Sequence, residues 1–165
     1  MNENKEMIQH DYQTQLKEFY EQTQEIVSSI QQGIRIKKVK DIIQYSKDIP
    51  IQISNLMGQL KPILESISQN GEIQKYNWLH LRSLIVITTR DMLLNMQKLY
   101  PYEKTAQNEG FEDELDIVLQ FLCVFEQKPP FTLQRICELL IDPQKHYKSS
   151  KKILFAMEKL VNVST

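Results

Sequence analysis

The chain has 165 residues, with 20 Lys and Arg against 21 Asp and Glu, a formal net charge of -1 and 41% hydrophobic residues, which suits one compact domain with its own core. That charge excludes a global field arranged to draw in nucleic acid or anionic lipid, because phosphate neutralisation needs a basic excess. The presence of only 4 Gly and 6 Pro argues against a turn-rich all-β design and against a flexible linker.

The first element spans about residues 5–32. Leu16, Phe19, Thr23, Ile26 and Ile30 fall three and four apart, forming one stripe opposite a Gln- and Glu-rich face. Gly33 is its expected stop. The stripe is short for a coiled-coil seam, so packing on the parent domain or an amphipathic extension is expected. The cluster Arg35-Ile36-Lys37-Lys38-Val39-Lys40 then opens the pattern Val39, Ile42, Ile43. It reads either as a solvated face of snorkelling cations or as a contact for an acidic partner surface.

Pro50 breaks the pattern. Ile53, Leu56, Met57, Leu60, Ile63, Leu64 and Ile67 mark a second helix, with Ser54 or Asn55 as caps near its start. Pro62 implies a kink or two shorter helices, and Asn70-Gly71 ends the element. Between 76 and 100, apolar residues from Trp78 to Leu99 occupy nearly every face, as in the central helix of a bundle. The run 84–89 is β-branched enough for a strand, but its continuation to 99 argues for helix. After Pro101 and a polar loop, Phe111 leads into Glu112, Asp113 and Glu114, acids suited to a helix N-terminus. Leu115, Val118, Leu119, Leu122 and Phe125 form the next buried stripe, closed by Pro129 and Pro130.

In Pro130-Phe131-Thr132-Leu133-Gln134-Arg135-Ile136-Cys137-Glu138-Leu139-Leu140, Thr132 is the expected N-cap. Phe131 and Ile136 then take the two positions of a hydrophobic staple. Leu133, Ile136, Leu139 and Leu140 face the core, leaving Gln134, Arg135 and Glu138 on the other side. Asp142-Pro143 stops this helix. After Lys145-His146-Tyr147-Lys148, Ser149 or Ser150 caps a last helix with Ile153, Leu154, Met157 and Leu160 inward. Val161-Asn162-Val163 alternates like a short strand. The expected fold is mainly α, a single helical domain ending in a small winged-helix-like helix-turn-helix-strand unit.

Nothing in the chain spells catalysis. His10, His80 and His146 are far apart and in no metal-binding frame. There is no Gly-rich phosphate loop, nucleophile elbow or paired-carboxylate motif. Cys123 and Cys137 sit inside apolar helical patterns without CxxC or Cys/His spacing, so buried reduced thiols are expected. No catalytic, cofactor-binding or metal residue is assigned. Residues 1–6 are polar, unlike a secretory signal, and no apolar run nears the roughly 20 residues that span a bilayer. A soluble intracellular protein is expected.

The block 130–140, with Asp142-Pro143, Tyr147 and Glu158-Lys159, closely resembles the signature of the protein phosphatase 4 regulatory subunit 2 family. Ser68-Gln69-Asn70-Gly71 is similar to a family helix end with Gly. Trp78, Leu81 and Arg82 are similar to the family's Trp, aromatic and Lys, and Phe111 with its acids to the helix that leads into the signature. On this resemblance residues 1–35 are an amphipathic helical N-terminal extension and 36–165 the family-like helical domain. Phe155 stands where the family pattern has a basic residue, and the family's long acidic tail is not among these residues.

The resemblance implies a non-catalytic regulatory and scaffolding subunit. It would bind and modulate a phosphatase 4-type Ser/Thr phosphatase catalytic subunit, together with a further regulatory subunit of the same complex, in nucleus and cytoplasm. Neither a cofactor nor a membrane is implied. Helical phase and loop position nominate Arg135, Glu138, Lys145, Tyr147, Lys148 and Lys151 as the partner surface. The plainer reading makes Arg135 and Glu138 one local salt bridge and Tyr147 a lid on the core. The rival from another class is a helix-turn-helix nucleic-acid-binding module, with Lys145, His146, Lys148, Lys151 and Lys152 on phosphates. Net charge and a largely apolar recognition helix stand against it.

Overall fold

Seven helices and no strand are found among the described residues of the computed structural model: α1 (Asn2–Ile36), α2 (Ile51–Asn70), α3 (Trp78–Leu99), α4 (Phe111–Val124), α5 (Leu133–Ile141), α6 (Pro143–His146) and α7 (Ser150–Val161). The structure describes residues 2–36, 49–101 and 110–163, with the side chains of α1 from 12 to 32. The side chains of His10 and the basic cluster at 35–40, the residues Ile42 and Ile43, and the loop 102–109 lie outside the described residues.

Helix α3 is the axis of the fold. Every residue from Leu81 to Ile87 is buried, as are Met92, Leu93 and Met96, so it is apolar most of the way round. Such a helix must be enclosed, and α1, α4, α5 and α7 all pack against it. The β-branched stretch that could have been a strand is helical because its neighbours surround it. Asn77 starts α3 by accepting the His80 amide at 3.3 Å, a cap not foreseen from the sequence.

The stripe foreseen in α1 is its packed face. Leu16, Phe19, Thr23, Val27 and Ile30 are buried and Ile26 is partly so, and α1 packs on α2, α3 and α4. Residues 12–32, read above as part of an extension, therefore share the core of the other helices. The helix also runs through Gly33 to Ile36 rather than stopping there. Helix α2 is continuous across Pro62, not two pieces, and starts at Ile51 behind Pro50. Ser54 and Asn55 lie inside it and do not cap it; the Ile53 and Ser54 amides donate to the Pro50 carbonyl.

One expectation for the C-terminal part needs correction. Val161 is not in a strand: it is the last residue of α7 and is buried, and Asn162 follows as the C-cap. The alternation of Val161 and Val163 reflects one inward helical position followed by a bend, so no winged-helix strand exists among the described residues. Asp142-Pro143 does stop α5, which ends at Ile141 with Asp142 as its C-cap, and Pro143 then opens the separate single turn α6. Ser149 caps α7 as expected, accepting the Lys152 amide at 3.2 Å. No helix among the described residues is long and apolar enough to cross a membrane.

Candidate partner surface

The block 130–140 acts first on its own neighbours. Ile136, Cys137, Leu133 and Leu139 are buried, and α5 packs chiefly on α2. Gly71 ends α2 at φ 72°, with its amide donating to the Ile67 carbonyl at 2.8 Å. A Cβ on Gly71 would lie 3.1 Å from Gln134 Oε1. The Gln134 amide donates to the Ser68 carbonyl at 3.3 Å, capping the orphan end of α2. Gln134 was placed on the far side by helical phase alone, yet its reach makes it the clamp between α5 and α2.

Thr132 and Phe131 also depart from expectation. Thr132 makes no side-chain cap; its hydroxyl donates instead to the Leu160 carbonyl at 2.6 Å, fastening the start of α5 to the last turn of α7. Phe131 is 81% exposed, so it makes no staple with Ile136. The Thr132 backbone, at φ -85° and ψ 4°, is outside the extended conformation of a side-chain cap, and its hydroxyl serves the tertiary acceptor.

A similar arrangement joins α3 to α4. Trp78 Nε1 donates to the Phe125 carbonyl at 2.7 Å and Arg82 Nη1 to the Cys123 carbonyl at 2.9 Å. These two residues, one turn apart on α3, satisfy carbonyls at the C-terminal end of α4, where a cation also complements the helix dipole. Trp78 and Arg82 were noted only as family echoes; their interval of four was the available signal.

Arg135 Nη1 meets Glu138 Oε2 at 2.8 Å, and their side chains are 45% and 37% exposed. An exposed pair of this kind contributes little. Lys145, Lys148 and Lys151 are exposed, on α6, in the loop and in the first turn of α7, whereas Tyr147 is half-buried and packs on the core. The Arg135–Glu138 pair lies near the start of α5 and the lysines beyond its end, so the six nominated residues split into two groups. What the sequence reading left aside is the outward face of α7: Lys152, Phe155 and Lys159 are exposed, and Lys159 Nζ lies 4.5 Å from the Phe155 ring centroid. Their spacing of three and four, opposite Ile153, Leu154 and Met157, was the signal.

The chemistry available elsewhere is sparse. Burial pushes the Cys123 and Cys137 thiols up to about 12, leaving both as inert thiols at neutral pH. His80 packs against Tyr20 between α3 and α1, with ring centroids 4.7 Å apart and planes tilted by 40°. Burial, and then Lys17, hold its pKa below the usual imidazole value against an opposing effect of Glu21. No group of His, Cys, Asp and Glu suited to a metal ion occurs among the described residues. A cleft of about 1000 Å³ opens beside the end of α3 and the start of α4 and mixes Asp91, Asn95 and Lys98 with Phe111.

The PPP4R2 family model matches residues 17–165, which takes in the buried stripe of α1 from Phe19 onward and every later helix. The chain belongs to the PPP4R2 family. Among its relatives, the serine/threonine-protein phosphatase 4 regulatory subunit 2 of Drosophila melanogaster is 30% identical over 115 residues, covering 64% of this chain and 18% of that protein. The protein of the same name from Xenopus tropicalis is 27% identical over 110 residues, covering 64% of this chain and 27% of the relative. That from Dictyostelium discoideum is 50% identical over 48 residues, 28% of this chain and 17% of the relative. The chain thus spans less than a third of the length of these relatives. No solved structure matches it.

Proposed function

We propose that this chain is a non-catalytic regulatory subunit that binds and modulates a phosphatase 4-type Ser/Thr phosphatase catalytic subunit, acting with a further regulatory subunit of the same complex. The observation that carries this reading is the family match across residues 17–165. It is supported by relatives whose names describe regulatory subunits of that phosphatase. The physical character of the chain suits the role. A regulator needs a firm body with a few exposed anchors and no tuned acid–base pair of its own. Here the helices are cross-capped by Gln134, Trp78 and Arg82, and charged and aromatic side chains are left outside.

Affinity capture of the chain from its native lysate tests the proposal. A phosphatase 4-type catalytic subunit is expected near one-to-one, and recovery of no phosphatase at mild salt would overturn it.

A further inference from the structure

Among the described residues, the outward face of α7 combines basic charge with exposed aromatic rings. Five lysines against the single acid Glu158 give residues 145–159 a net +4, so the remainder of the chain, whose total is -1, carries -5. Two aromatic rings stand out of the same region. Phe155 is 58% exposed in the middle of the face, and Phe131, at 81%, precedes the Thr132 hydroxyl that holds the last turn of α7. Single exposed apolar residues are ordinary. Two phenylalanines set beside a basic helical face are the composition of an interface anchor with a charged surround.

The helix that carries this face is fastened at both ends. The Ser150 hydroxyl donates to the Tyr100 carbonyl at its start, and the Thr132 hydroxyl donates to the Leu160 carbonyl near its end. Its inward residues Ile153, Leu154, Met157 and Val161 are buried. Lys159 lies over the Phe155 ring, which restrains the ring while leaving most of it open. A partner therefore meets a surface that is already ordered, and little conformational entropy is lost on docking.

We propose that Lys152, Phe155 and Lys159 of α7, with the adjacent Phe131, form the docking face for an acidic, apolar-pocketed surface of the phosphatase catalytic subunit; this rests on the function proposed above. Charge complementarity selects an acidic partner, and the two rings require apolar pockets within it. A nucleic-acid backbone matches the charge but has no use for two exposed phenylalanines on a face without arginine, the residue suited to bidentate phosphate and guanine contacts.

The test is binding of the whole chain to purified phosphatase 4-type catalytic subunit, measured across a salt series with three variants. The double variant Phe131→Ala with Phe155→Ala is expected to weaken binding roughly 30-fold or more, the scale of losing a buried anchor. Lys152→Glu with Lys159→Glu is expected to weaken it and to flatten or reverse its salt dependence. Lys61→Glu, an exposed cation on α2, is expected to leave binding unchanged. All these side chains point outward, so circular-dichroism melting curves should superimpose on that of the parent chain.

If the parent chain binds and both double variants bind equally well, the docking face is overturned and the regulatory reading stands. If the parent chain does not bind at all, both fall. If a DNA duplex is bound and lost in the lysine variant while phosphatase binding is untouched, the face belongs to a nucleic acid and the proposal is overturned.

Discussion

Helices α5 and α7 are neighbours joined by one turn, both amphipathic, and they divide their labour differently. The polar side chains of α5 are largely engaged within the molecule: Gln134, placed on the far side by helical phase, caps α2, and Arg135 pairs with Glu138 as the plainer reading of the sequence had it. The outward side chains of α7, Lys152, Phe155 and Lys159, interact mostly among themselves and solvent. A block can therefore mark a family strongly because it is structurally indispensable, while a less distinctive helix presents the surface. Breaking α5 should harm folding first, and altering the outer face of α7 should leave folding alone.

The largest effect expected on the α5 side is Ile136→Ala. Ile136 is fully buried among the helices, so its truncation removes apolar burial and leaves a cavity costing about 2–5 kcal/mol. Urea unfolding would show a lowered midpoint with little change in slope. A change well below 1 kcal/mol would mean that α5 is not part of the cooperative core. Next comes Gly71→Ala, which puts a side chain at φ 72° and a Cβ 3.1 Å from Gln134 Oε1. The left-handed conformation alone disfavours it by roughly 1–2 kcal/mol. If the Gln134 clamp matters, pairing the change with Gln134→Ala should recover part of the loss in a double-mutant cycle.

Thr132→Val should cost about 1 kcal/mol, by removing the donor to the Leu160 carbonyl at near-constant volume. Its particular signature would be faster amide exchange in the last turn of α7, since that is the element it fastens. Loss confined to α5 would instead restore the local cap read from the sequence.

Much of the architecture was legible because helical period and burial agree. The stripes of α1, α2 and α4 supply most of the core residues found, with Ile26 and Met57 only partly buried and Val27 unforeseen, and the all-round apolar α3 is the central helix. What was hidden is long-range and polar. No pattern around Thr132 says that a carbonyl 28 residues later will take its hydroxyl, or that Trp78 and Arg82 will close the end of α4. The same limit misled the reading of Val161 as strand: two valines two apart satisfy a strand period, but the packing of α7 uses only the first. Of the nominated surface residues, the lysines were exposed as phase required. Tyr147 packs on the core, because loop position alone does not decide where a large ring finds apolar cover.

A smaller effect concerns pH and the seam between α1 and α3. His80 has a lowered pKa in the folded chain because burial, then Lys17, disfavour the imidazolium. Between its folded value and the unfolded value near 6.5, the unfolded chain binds more protons, so stability rises with pH. The contribution is complete above that unfolded value and is lost as pH falls towards the folded one. His80→Gln should flatten this slope in thermal melts between pH 7.5 and 5, whereas His146→Gln serves as the comparison outside the seam. An unaltered slope in His80→Gln would assign the acid sensitivity to other groups.

The smallest effect expected is at Arg135, and it bears most directly on the division between the two helices. Its guanidinium touches Glu138 on the same helix at 2.8 Å, with both side chains well exposed. In that setting solvent screens the pair and side-chain ordering offsets the attraction, so the net contribution is about 0–1 kcal/mol. Arg135→Ala should therefore shift the melting midpoint only slightly, and the shift should shrink further at high salt. If the polar face of α5 serves folding and the outer face of α7 serves docking, the same variant should capture phosphatase as well as the parent chain does. A large loss of capture with an unchanged melt would move the docking face onto α5, because a residue without structural weight can only be felt through a partner.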